Sequence, residues 1–195
     1  TNNSSLPTNV KSILLFFANF TYSSILFDKF TFSAFSNNSA PAFPGAINIF
    51  STFSFCDNYS SLNHDLLITA AIFHDIGKTR ELSAFPSNDY TDEGQLVGHI
   101  VIGVEIVKAH IDKIPGFPKK LSNELIHCIL AHHGELEYGS PKKPALIEAL
   151  ALNLADNADA KMETFIELLA QGQEGATGWL GYNKLLESNY RKTSV

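Results

Sequence analysis

The stretch Asn63-His64-Asp65-Leu66-Leu67-Ile68-Thr69-Ala70-Ala71-Ile72-Phe73-His74-Asp75-Ile76-Gly77-Lys78 decides the fold. Leu66, Leu67, Ala70, Ala71 and Phe73 recur at helical spacing, and Asn63 is a good N-cap, so a helix is expected from Asn63 to about Ile76. Gly77 is a natural stop. Packing does not explain the end of this helix. An adjacent His74-Asp75 pair on an apolar helix, followed at once by Gly77 and Lys78, puts a carboxylate where carboxylates are rarely buried unless paired or bound to metal.

Downstream the pattern stays helical. A long loop is expected over 79–95, around Pro86, Asn88 and Gly94. A second helix is expected from Gln95 to Lys113, which places His99 mid-helix in an apolar run. Pro115-Gly116-Phe117-Pro118 breaks the chain. A third helix is expected after Ser122, ending at Gly134. Pro144 then opens a long helix to about Ala170, with Gly172 beyond it and Asp156 in its middle. No strand pattern is evident in 61–195, and Trp179 and Tyr182 are expected to pack the tail onto the helical body. The expected fold is all-α, a helical bundle with its site between helices.

Bulk composition limits the function. The 195 residues suffice for one ordinary domain with a sizeable core. A net charge of -6 supplies no global basic field for nucleic acid, so such a substrate must be held locally. Cys56 and Cys128 are far apart and suggest no disulfide framework, which fits a reducing cytoplasm. Residues 1–60 hold 11 of the 15 Phe, many Ser and Asn, and no His. Residues 61–195 hold all seven His, with 12 basic against 18 acidic residues. This shift predicts a boundary near residue 60, with a Phe/Ser/Asn-rich segment before it and a hydrolase domain at 61–195. The run Ser12–Ala18 resembles a secretory signal core, but Asn19, Thr21 and Ser23 interrupt it and make it too short to span a bilayer. A fusion, a mispredicted gene start or a wrong reading frame is the account favoured for this segment, because it lacks both clean helix periodicity and ordinary surface charge.

His74, Asp75, His99, the pair His132-His133 and Asp156 form a set of N and O donors, with a carboxylate able to bridge two ions. The set points to a metal-dependent hydrolase. Simpler roles stand beside this one. His99 suits a satisfied core histidine, and His133 suits a helix-end or substrate contact. Lys78 suits a helix C-terminus. Lys119-Lys120 and Lys142-Lys143 suit solvated charge, and Asp159 suits a supporting or surface carboxylate. His110 and His127 are expected to be structural.

His74-Asp75-Ile76-Gly77-Lys78, His99, His132-His133-Gly134 and Asp156, in that order, resemble the HD-domain metal-dependent phosphohydrolases. Ile72–Leu82, Tyr90–Ile102 and Leu130–Pro141 are similar to the bacterial YhaM-type 3′-5′ exoribonucleases. The likeness covers 62–168 well and 172–192 loosely. It implies that His74, Asp75 and Asp156 hold one metal. It implies that Asp75 bridges to a second metal on His99, His132 and His133. Two divalent ions are thus implied, from among Mn, Fe, Co, Ni or Zn. Asp75 and Lys78 become the catalytic pair, with Lys78 on the phosphoryl charge. Tyr138, Lys142 and Lys143 line the substrate entrance, Tyr138 against a base and the lysines against phosphates.

Two departures accompany the likeness. The family places another His on a helix before His74, and His64, the one upstream candidate, looks like a solvated helix start. The first metal is therefore expected to keep three protein ligands. YhaM-type proteins also carry an N-terminal OB-fold, for which residues 1–60 have neither length nor alternation.

The implied function is a metal-dependent phosphodiesterase, a 3′-5′ exoribonuclease on single-stranded RNA or short oligonucleotides. A nucleotide or cyclic-dinucleotide phosphohydrolase is one alternative, but Tyr138-Gly139-Ser140-Pro141 stands where the cyclic-dinucleotide branch has Gly-Tyr-Pro. A metal- or nucleotide-binding domain without turnover is the other. The expected setting is cytoplasmic, without membrane, with a homo-oligomer or an RNA-binding partner to supplement the acidic surface.

Overall fold

The computed structural model describes residues 46–84, 86–172 and 178–194. The signal-like run Ser12–Ala18 and most of the Phe/Ser/Asn-rich segment lie outside the described residues. The helices are α1 (Ala46–Asn58), α2 (His64–Phe73), α3 (Lys78–Glu81), α4 (Asp92–Leu96), α5 (His99–Ile111), α6 (Lys119–Ala131) and α7 (Ile147–Gln171), with a 3-10 turn at Leu136–Tyr138. Two strands follow, β1 (Trp179–Asn183) and β2 (Ser188–Arg191). The fold is helical, as the periodicity predicts. The antiparallel β1–β2 hairpin corrects the expectation of no strands. A register irregularity between Trp179 and Tyr182 breaks the simple alternation by which a strand is read from sequence.

The chain forms two compact units, one ending at Asp156 and one running from Asn157. In the first, α2 is the central helix. Leu67 and Ala70 are fully buried, and they share a core with Val107 of α5, Ile129 of α6 and Leu152 of α7. Asn63 caps α2 as expected, its side chain accepting from the Leu66 N–H at 3.2 Å. The core reaches upstream of residue 60: Cys56 of α1 is buried within it, and α1 packs on α2. The described part of the 1–60 segment thus belongs to the same packed unit. In the second unit Tyr190 is buried, its ring 6.2 Å from that of Phe165, edge to face.

Several helix boundaries differ from the sequence reading, each for a local reason. α2 stops at Phe73, and His74 to Gly77 form a tight turn, with Ile76 N–H bonded to Phe73 O and Lys78 N–H to Asp75 O. The expected loop 79–95 is partly ordered, by α3, a bridge from Leu82 to Tyr90, and α4 capped by Thr91. The expected helix 95–113 is two helices. Gly98 adopts φ +79°, a conformation no helix continues through, so His99 opens α5 instead of lying mid-helix. α6 begins directly after Pro118, and Ser122 is a buried residue inside it. α7 begins at Ile147 and not at Pro144, after the Ala145 N–H donates to His127 Nε2 at 2.8 Å.

Candidate metal centre

The turn after α2 aims two neighbouring side chains at one place. Continued helix would send His74 and Asp75 out about 100° apart. The turn instead leaves His74 Nε2 3.3 Å from Asp75 Oδ2 and 3.6 Å from Asp156 Oδ1. The other oxygen of Asp75 faces a different group: Oδ1 lies 3.6 Å from His99 Nε2 and 3.8 Å from His132 Nε2. His99, His132 and His133 each offer a ligand atom, all within 4.8 Å of one another. The His132 and His133 rings are 4.4 Å apart, and His99 and His133 are 5.2 Å apart. All six sequence-identified donors therefore gather in the first unit. The three-histidine group is the more closely gathered. His74, Asp75 and Asp156 are joined pairwise through His74.

Every imidazole is oriented by its far nitrogen. His74 Nδ1 is 2.9 Å from Ala71 O, and His132 Nδ1 is 2.7 Å from Ile129 O. His133 Nδ1 is 2.9 Å from Tyr138 O, and His99 Nδ1 is 3.0 Å from Glu81 Oε1. Each of these acceptors requires the proton on Nδ1, so in its neutral form each ring turns the Nε2 lone pair toward the centre. This is the arrangement metal-ligating histidines adopt.

The remaining test of fit is what the donor atoms touch. His74 Nε2, Asp75 Oδ1, His99 Nε2 and His132 Nε2 are buried and have no hydrogen-bond partner. A buried polar atom left so costs about 1–3 kcal/mol. A cation held between these N and O donors would compensate them. The donor chemistry thus fits divalent metal: His99, His132, His133 and Asp75 Oδ1 form one group of donors, and His74, Asp75 Oδ2 and Asp156 form another. His64 is exposed at the start of α2.

The electrostatics follow from this crowding. Burial alone would lower the His74 imidazole, but the Asp156 and Asp75 carboxylates outweigh it and push it up to about 10. Burial would raise Asp75, yet His74 and Lys78 hold it well below the usual carboxylate range. Asp156 is also depressed, because His74 outweighs its burial. Burial, reinforced by charge on His74, pushes His132 down to about 4.

Glu81 is the residue that sequence reasoning missed. It is buried, and its Oε1 accepts from both the backbone N–H and the ring of His99. A carboxylate one turn beyond Gly77-Lys78 was the available signal, but α3 was read as loop. Asn153 was also missed; its Nδ2 donates to His132 O at 2.8 Å. Gly77 has a different role from the one expected. Its φ of -62° is ordinary helix. It is glycine because a Cβ there would lie 1.9 Å from His99 O, so α3 and α5 meet backbone to backbone.

Lys78 Nζ donates to Asp75 Oδ2 at 2.7 Å from a half-exposed position. Tyr138 is 69% exposed, and its carbonyl is the acceptor for His133. Lys143 is ion-paired with Glu135. Lys142 is exposed. Gly134, Glu135, Lys143, Leu146, Leu150 and Asn153 are among the residues lining a cleft of about 450 Å³. Its size suits a small-molecule or nucleotide unit. Gly134 and Asn153 connect this cleft to His133 and His132. His127 accepts from Ala145 and His110 Nδ1 lies 2.7 Å from Ile106 O, in keeping with structural roles.

The family model described as HD domain matches residues 49–161. A 3′-5′ exoribonuclease YhaM of Bacillus pumilus is 45% identical over 123 residues, covering 63% of this chain and 38% of its own length. That of Bacillus subtilis is 42% identical over 123 residues, covering 61% and 38%. That of a Geobacillus species is 46% identical over 120 residues, covering 60% and 36%. The chain therefore spans less than two fifths of the length of these curated relatives. No solved structure matches. No helix among the described residues is long and apolar enough to cross a membrane. With a family model covering more than half of its residues, the chain belongs to the HD-domain family.

Proposed function

We propose that this chain is a metal-dependent phosphodiesterase that removes nucleotides from the 3′ end of single-stranded RNA or short oligonucleotides. One observation carries the reading: the two oxygens of Asp75 face two different donor groups, Oδ2 toward His74 and Oδ1 toward His99 and His132. A carboxylate shared in this way is what a two-ion phosphodiester site needs. The names of the relatives supply the RNA and the 3′-5′ direction.

When bound, the divalent ions, drawn from Mn, Fe, Co, Ni or Zn, supply Lewis acidity and an acidified water. The protein does the rest. Asp75 keeps its charge and holds the two donor groups together. Lys78, bonded to Asp75 Oδ2, presents its ammonium at the edge of the site, where phosphoryl charge develops. Asp156 and His74 close the far side. The exposed Tyr138 ring stacks on a terminal base, and the cleft beside Gly134 takes the adjoining nucleotide. The exposed Lys142 meets the phosphates. The hydrolase domain is read to begin within α1, since Cys56 belongs to its core. A cytoplasmic setting accords with two free, buried cysteines.

The test is a time course with 5′-labelled single-stranded RNA and Mn²⁺, run beside Asp75→Ala. Mononucleotides released in the wild type and not in the variant are expected. Metal uptake without RNA hydrolysis, together with turnover of free nucleotides or cyclic dinucleotides, would overturn the RNA assignment. Metal uptake with no turnover at all would make this a binding domain.

A further inference from the structure

The β1–β2 hairpin carries a face that the metal centre does not use. Trp179 pairs with Arg191 and Tyr182 with Asn189, so Leu180 and Gly181 together stand opposite Tyr190. This is a β-bulge, and Gly181 at φ +93° accommodates it. Cross-strand partners share a face, and so do residues two apart on one strand. Arg191 and Asn189 are two apart. The extra residue therefore brings Trp179 and Tyr182, three positions apart, onto the same side as Arg191.

The other side is occupied by Tyr190, which is buried against Phe165, its hydroxyl donating to Leu168 O at 3.4 Å. The hairpin thus has its own packed side, and its two large rings are not on it. Trp179 is 45% exposed and Tyr182 64% exposed, which corrects the expectation that they pack the tail down. The Arg191 guanidinium lies over the Trp179 ring, 5.7 Å from its centroid. Among the described residues 178–194, Lys184, Arg191 and Lys192 stand against Glu187 alone. This local positive balance sits in a chain of net charge -6.

Two exposed ring faces flanked by cations match one ligand chemistry well. Bases stack on aromatic side chains without regard to sequence, and phosphates are neutralised by Lys and Arg. We propose that the face formed by Trp179, Tyr182 and Arg191 is a binding surface for single-stranded nucleic acid. Bases stack on the two rings, and phosphates lie against Arg191, Lys184 and Lys192. The choice of RNA as the strand rests on the function read at the metal centre, while the surface itself is independent of the metal.

Trp179 is the chain's one tryptophan, so its emission reports this surface directly. The experiment titrates oligouridylate into the full chain carrying Asp75→Ala, with EDTA present, so that no hydrolysis intervenes. Saturable quenching that weakens with added salt is expected. Tyr182→Ala is expected to lower affinity about tenfold or more, Arg191→Gln to lower it and flatten its salt dependence, and Tyr182→Phe to keep it. Unchanged Trp179 emission would overturn the proposal. So would wild-type affinity in Tyr182→Ala and Arg191→Gln, or equal binding of duplex or of anionic vesicles. Hydrolysis by the unmutated chain, measured in parallel, separates the two readings. Hydrolysis without quenching removes this surface alone, and quenching without hydrolysis removes the exonuclease reading alone.

Discussion

Glu81 Oε1 accepts two hydrogen bonds from His99, one from the backbone N–H at 2.9 Å and one from ring Nδ1 at 3.0 Å. A single oxygen thus serves two purposes. It satisfies an N–H that the start of α5 leaves without a helical partner, and it fixes the tautomer that turns Nε2 inward. Gly98 offers no side chain to cap α5, so the cap comes from α3.

Removing that oxygen should loosen an ion more than it loosens the fold. Glu81→Ala is expected to weaken Mn²⁺ binding at the His99 group about 10–100-fold. Glu81→Gln, which keeps an acceptor oxygen, should retain most of the affinity. Isothermal titration of both variants checks this. Unchanged affinity in Glu81→Ala would reduce Glu81 to a helix cap.

The pKa shifts predict how stability of the chelated protein varies with pH. His74 is raised from 6.5 to about 10, so the folded state holds a proton that the unfolded state has lost between those values. Its contribution is full below pH 6.5 and disappears as pH rises through 10. His132 is lowered from 6.5 to about 4, so its contribution is present above 6.5 and is lost as pH falls through 4. The melting temperature in EDTA should therefore peak near pH 6.5 and fall on both sides. Saturating Mn²⁺ should flatten the alkaline limb, because the ion takes the place of the His74 proton. A melting temperature independent of pH from 6.5 to 10 would contradict the His74 assignment.

Gly77→Ala places a methyl group 1.9 Å from His99 O. The backbones of α3 and α5 must then separate, and overpacking of this kind costs about 1–3 kcal/mol. Denaturant unfolding should show that loss, and metal content should drop with it, because His99 moves with α5. Gly103→Ala is the control. Its Cβ would sit 3.4 Å from Gly77 N, in ordinary contact, and the site should survive.

Lys78 reaches Asp75 from the solvent side, and its removal leaves the imidazoles in place. Lys78→Met is expected to lower kcat on RNA about 10²-fold, with metal content and KM little changed. Equal kcat would leave Lys78 as a helix-end charge only.

The donor set was legible in the sequence because each member violates the local rule of an apolar helix. His74, Asp75, His99, His132 and Asp156 are polar residues in runs that otherwise read as core, and the cost of setting such groups among apolar ones marks them. The helical class was legible from the spacing of Leu66, Leu67, Ala70 and Ala71. The hairpin was not, because the bulge at Gly181 destroys the alternation on which strand reading depends.

Sequence alone determined the helical class and singled out the candidate donors, since both follow from local pattern. Only the tertiary structure decided that Asp75 divides its oxygens between two groups, that Glu81 and not a nearby residue orients His99, and that Gly77 is small for the sake of the His99 carbonyl. It also decided that Trp179 and Tyr182 face outward. Each of these depends on atoms brought together across turns and strands, and no periodicity records which backbone will approach which, or where one extra residue will turn a side chain to the other face.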